Sequence, residues 1–163
     1  MALRGVHKWA ILAAGVLIAA GLTWLLWPDA KAPPPRERQY RATTACLLTD
    51  DKGVAGDPAK AVWAGMQEAS TDTLIKVQYL SIAGPQTAAN GLSFFNSLGG
   101  QQCTVIIAAG PTAVAAMVEG YKQFPGVRMV AVGGDTKGAP ITAIDGPAAT
   151  IRSSVRTAVT EAA

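Results

Sequence analysis

Two adjacent carboxylates, Asp50 and Asp51, follow directly on the apolar run Ala45-Cys46-Leu47-Leu48-Thr49, and a third, Asp57, closes the glycine-punctuated loop behind them. Acids at the mouth of a strand can hold a cation, move a proton, or accept hydrogen bonds from the hydroxyls of a polar solute. Cation-assisted phosphoryl chemistry would need a further Asp ending the third apolar run and a Lys after the fifth, where the chain has Ala109-Gly110 and Gly146-Pro147. Nucleophilic catalysis lacks a base, because the single histidine is His7, far upstream, and no G-x-S-x-G elbow occurs. Two cysteines without a spacing motif give no metal set. Glycines 53, 56, 110, 133 and 134 would admit a ligand close to backbone, although no G-x-G-x-x-G or Walker sequence is present. The expectation is a binding edge made by Asp50, Asp51, Asp57, Gly110, Pro111, Thr112, Gly133 and Gly134, with no catalytic activity, no cofactor and no metal. Within that set Asp50 is expected at the crevice itself, Asp51 towards solvent and Asp57 as a helix cap.

Such residues need a scaffold, and the sequence from Thr44 onward alternates short apolar runs with helical stretches. The runs are 45–49, 73–82, 103–110, 127–134 and 141–145, rich in Val, Ile and Leu without strict alternation, as in a parallel sheet covered on both faces. Asp57-Pro58 predicts a helix start, with an acidic N-cap and a proline in the first turn. Gly84-Pro85 predicts a second, carrying Leu92, Phe95 and Leu98 and closed by Gly99-Gly100; Gly110-Pro111 a third, with Val114, Met117, Val118 and Tyr121. Pro147 opens the last, with Ile151, Val155, Ala158 and Val159 on one face. Five strands interleaved with four helices predict a single doubly wound, flavodoxin-like α/β domain with strand order 2-1-3-4-5, the fourth and fifth strands joined by the loop DTKGAP. Ligands bind such sheets at the carboxyl ends of the strands where the order reverses, here between the first and third strands. Cys46 and Cys103 begin those same two strands; they would form a disulfide in an oxidising compartment, or remain two small buried hydrophobes in a reducing one.

Upstream of the domain the composition changes. Residues 9–27 (WAILAAGVLIAAGLTWLLW) hold no charge and end in Trp at both sides, long enough to span about 30 Å of hydrocarbon at about 1.5 Å per residue. The organisation expected is a basic tail at 1–8, a transmembrane signal anchor at 9–27, a proline-rich charged linker at 28–43 and the domain at 44–163. A cleaved signal peptide is the alternative, given the basic start and the A-x-A-like Ala30-Lys31-Ala32. Residues 1–43 hold six basic and two acidic side chains and residues 44–163 eight and nine, so the net +3 divides into +4 and −1. The domain therefore offers no charge for nucleic acid. Lys and Arg number two before the apolar segment and four after it, which by itself favours a cytoplasmic domain. Export by a short basic leader and the A-x-A site favour the opposite, and an extracytoplasmic domain on a single-pass anchor is expected, with a cleaved and secreted form as second choice.

The ordered stretches CLLTDDKGVAGDPAKAVWAGMQEAS, KVQYLSI, CTVIIAAG and FPGVRMVAVGG resemble the N-terminal lobe of the basic membrane protein (BMP) family, the substrate-binding proteins of nucleoside-type ABC transporters. The specific features are Asp50 ending the first strand, Asp57 after a glycine loop, and a helix carrying Trp63 then Gly65. The resemblance implies one lobe of a type I periplasmic binding fold, a nucleoside-like solute and an ABC permease as partners, and Asp50 as the acid that meets the solute. Where the family continues with an aromatic residue and an Asn, this chain has Pro58-Ala59-Lys60, so the usual stacking and hydrogen-bonding groups are replaced. A second reading is a structural or interaction domain that binds a protein partner, including a second copy of itself.

Overall fold

In the computed structural model the described residues are 39–162; the apolar segment, its alternative cleavage site and most of the linker lie outside them. Five parallel strands, β1 (Thr44–Thr49), β2 (Lys76–Ser81), β3 (Val105–Ala109), β4 (Arg128–Val132) and β5 (Thr142–Ile144), form one sheet in the order β2-β1-β3-β4-β5. Four helices, α1 (Ala59–Thr73), α2 (Ala88–Gly100), α3 (Pro111–Gly120) and α4 (Ala148–Thr160), alternate with them, and no helix intervenes between β4 and β5. Among these residues no helix is long and apolar enough to cross a membrane.

The pleat explains the two cores. Ala45, Leu47, Val105, Ile107, Val130 and Val132 point to one face, where α1 and α4 bring Val62, Met66, Val155 and Val159. Cys46, Leu48, Ile106, Ala108 and Ala131 point to the other, beneath Phe95, Leu98, Val114 and Met117 of α2 and α3. Burying each Leu, Ile or Phe contributes about 1.5 to 3 kcal/mol, so the continuous apolar runs of β1, β3 and β4 are what a sheet covered on both sides requires. Close helix approach sets one local choice: a Cβ at Gly65 of α1 would lie only 2.4 Å from the carbonyl oxygen of Arg152 in α4. Only a residue without a side chain lets these two backbones meet.

Several boundaries differ from the pattern-based reading. The first helix begins at Ala59 with Pro58 as its N-cap and no side-chain cap, because Lys60 N–H finds the Gly56 carbonyl and Ala61 and Val62 find that of Pro58. Backbone oxygens thus satisfy the donors that Asp57 was expected to cap. Gly84-Pro85 forms a turn ahead of α2 and does not open it; Thr87 is the N-cap and accepts from Asn90 N–H at 3.3 Å. The apolar run from Thr73 loses its first two residues to α1 and its cap, and Ile75 links the cap to β2: Ser70 Oγ donates to Ile75 O at 2.7 Å, and Leu74 takes φ 61° to end the helix. Gly110 and Pro111 do open α3, as N-cap and first helical residue, and Pro147 is the N-cap of α4.

Candidate functional site

Asp50 stands at the first position after β1, half-buried, with its turn held by Lys52 N–H donating to Oδ1 at 3.0 Å and Gly53 N–H to the Asp50 carbonyl at 3.2 Å. That leaves Oδ2 pointing across the strand-order reversal at Gly110, where a Cβ would sit 3.7 Å away. Gly110 in turn donates its N–H to Val132 O at 2.9 Å, tying the end of β3 to the end of β4. Its carbonyl receives the N–H of Val114 at 3.0 Å, so the amides of Thr112 and Ala113 are the first-turn donors left over. A carboxylate acceptor therefore stands beside the positive end of a helix. Such a pair can receive hydroxyls or an amine on the acid side and an acceptor group on the amide side.

The structure gathers Asp50, Gly110, Pro111 and Thr112 at this point, with Gly133 one residue beyond the Val132 carbonyl that Gly110 meets; the others have separate surroundings. Asp51 is exposed, as expected. Asp57 faces another hollow of about 400 Å³, between the starts of α1 and α4, with Lys60, Ala61, Ala148, Ala149 and Arg152. Gly133, at φ 70°, packs on Pro58, whose Cγ would come within 3.0 Å of an added Cβ. Gly134 makes room for Val114, 2.5 Å from the same imagined atom, so its role is helix packing.

Two hydroxyls escaped the sequence reading. Buried Thr49 donates to the Asp50 carbonyl at 3.1 Å and lies 3.2 Å from Ser81 Oγ, which joins the ends of β1 and β2 beneath the acid. Their signal in the sequence was position: each is a hydroxyl residue at the carboxyl end of its strand.

A separate hollow of about 750 Å³ runs between α1 and α4, lined by Glu68, Asp72, Arg152 and Arg156 among others. Asp72 pairs with Arg156 at 2.6 Å and Glu68 with Arg152. The hydrogen bond from the Arg152 guanidinium holds the Glu68 carboxyl below the ordinary carboxylate range. These groups are solvent-exposed and mutually neutralised, so they give α1 and α4 a polar seam and no free charge for a ligand. Cys46 and Cys103 are joined in a disulfide with Cα atoms 5.9 Å apart, deep in the α2 and α3 face at the amino end of β1, and Gln78 Nε2 donates to Cys46 Sγ at 3.2 Å.

No family model and no curated protein matches the chain. Among solved structures, its fold matches a fragment of a protein assigned as a lipoprotein from Peptoclostridium difficile 630, at 14% identity over 71% of this chain and 93% of that one, with a TM-score of 0.55. This likeness extends to the α/β fold alone. A transcriptional activator of the comK gene from Bacillus halodurans matches at 18% identity over 61% of this chain and 33% of that one. An ABC transporter system solute-binding protein from Aeropyrum pernix K1 matches at 14% over 63% and 28% respectively. Both have a TM-score of 0.49, and the chain spans about a third or less of their length.

Proposed function

We propose that this protein is an extracytoplasmic, membrane-tethered binding or accessory module of the solute-binding type, similar to BMP-family proteins, and that it works by binding, without catalysis. The observation that carries the reading is the free Asp50 Oδ2 beside Gly110 at the strand-order reversal, the position where doubly wound sheets hold their ligands. The buried Cys46–Cys103 disulfide supports a compartment outside the cytoplasm, since thiols there stay oxidised. A small polar solute, nucleoside-like by the resemblance, would give its hydroxyls to Asp50, and an ABC permease would be the membrane partner.

Thermal shift of the purified chain against nucleosides and related polar solutes tests this. One solute should raise the melting temperature, and Asp50→Ala should abolish the rise. A flat response across the panel would sink ligand binding and leave the interaction reading. Protease applied to intact cells should digest the domain; complete protection would refute the placement.

A further inference from the structure

The two ends of the sheet differ in charge. At the carboxyl end, beside Asp50, stand the exposed acids Asp51, Asp57, Asp135 and Asp145. Three lysines, Lys52, Lys60 and Lys137, offset them only in part. At the amino end the acids are Asp72, Glu119 and Glu161, and two of these are already matched, Asp72 by Arg156 and Glu161 by Arg128. Arg41 leads into β1 at this end, exposed Lys76 opens β2, and exposed Lys122 follows α3 with its ammonium 5.9 Å from the centre of the Tyr121 ring.

Apolar surface follows the same division. Among the described residues three large apolar side chains stay exposed: Tyr79 (48%) on the edge strand β2, where its ring packs edge-on against Trp63, and Tyr40 (45%) and Leu74 (39%) at the amino end. The Arg41 N–H bond to Leu74 O at 2.8 Å and the Lys76 N–H bond to Thr43 O at 3.2 Å hold Tyr40 and Leu74 at that end. Ahead of β4, a hollow of about 370 Å³ is lined by Tyr121, Lys122, Phe124 and Pro125 among others, so apolar and cationic groups alternate there as well. Tyrosine with lysine or arginine is the composition that settles at a bilayer interface, the ring at headgroup level and the cation on lipid phosphate.

Taking the membrane tether of the proposed function as premise, we propose that the amino end of the sheet rests on an anionic bilayer surface. Tyr40 and Leu74 then sit at headgroup level, Lys76 and Lys122 meet lipid phosphates, and the acidic carboxyl end, with Asp50, is turned to the side away from the lipid. Two observations favour lipid over another occupant. The described chain begins at Gln39, at this end of the sheet, and residues 28–38 between it and the expected anchor can span at most about 40 Å. An anionic surface also attracts the cations of one end while repelling the uncompensated aspartates of the other, which fixes the orientation.

The test uses the full chain reconstituted in vesicles of phosphatidylglycerol and phosphatidylcholine. Both native cysteines are held in the disulfide, so Ala42→Cys at the amino end and Ala55→Cys in the loop after Asp50 each add one free thiol for an environment-sensitive fluorophore. Acrylamide, an uncharged quencher, should act on the probe at position 42 about three-fold less than on the probe at position 55. Gln123→Cys, beside Lys122, should report the same protection by an independent substitution. Lys76→Glu combined with Lys122→Glu should remove most of the difference, as should vesicles of phosphatidylcholine alone. Equal quenching at both ends, stronger protection at position 55, or protection that survives the charge reversal overturns the proposal. A chain that fails to float with the vesicles overturns the tether and this proposal with it, whereas a chain that floats and is quenched equally at both ends overturns this proposal alone. None of these outcomes depends on whether Asp50 binds a solute.

Discussion

At Gly110 the backbone takes φ 97° and ψ 159°, a region that residues with a Cβ avoid, in the step from β3 to α3 that Asp50 faces. Space is available there, since an added methyl would lie 3.7 Å from Asp50 Oδ2, so the cost of Gly110→Ala is conformational. About 1 to 3 kcal/mol of stability should be lost, read as a lower midpoint in urea with an unchanged slope. A neutral result would mean that the turn relaxes and that the crevice is not fixed by this residue. Gly-Pro after an apolar run made this helix start readable in the sequence. Asp57 misled for a matching reason: whether an acid caps a helix depends on where nearby carbonyls point, and those of Gly56 and Pro58 had already met the donors.

The pairing of α1 with α4 joins helices separated by the 74 residues from Leu74 to Pro147; periodicity gave each helix a buried stripe but not its neighbour. Gly65 is where they meet, and Gly65→Ala would drive a methyl into the Arg152 carbonyl. Backbone cannot step aside as a flexible side chain can, so overpacking should cost about 1 to 3 kcal/mol. Thermal unfolding of this variant should show a lower melting temperature with secondary structure retained at room temperature. Equal stability would mean that α4 shifts freely on α1, contrary to the seam that Glu68–Arg152 and Asp72–Arg156 form along the same line.

For the molecule as a whole, the disulfide closes a sequence separation of 57 residues and links β1 to the segment entering β3. Loop-closure entropy for such a span amounts to about 4 kcal/mol at room temperature, a large share of the 5 to 15 kcal/mol typical of a domain. Replacing both Cys46 and Cys103 by Ala should therefore lower the urea midpoint markedly, and reductant under denaturing conditions should have the same effect on the parent. An unchanged midpoint would show that the unfolded chain is compact enough to lose little by the link. The sequence by itself determined the alternation of strand and helix, the doubly wound order and the acid at the reversal, because hydrophobic period, turn residues and crossover handedness are local or nearly so. Tertiary structure alone decided that the two cysteines bond, that Asp57 and Gly134 stand apart from Asp50, and that β2 leaves Tyr79 on an open edge. Those outcomes depend on distances between segments remote in sequence, which no local pattern encodes.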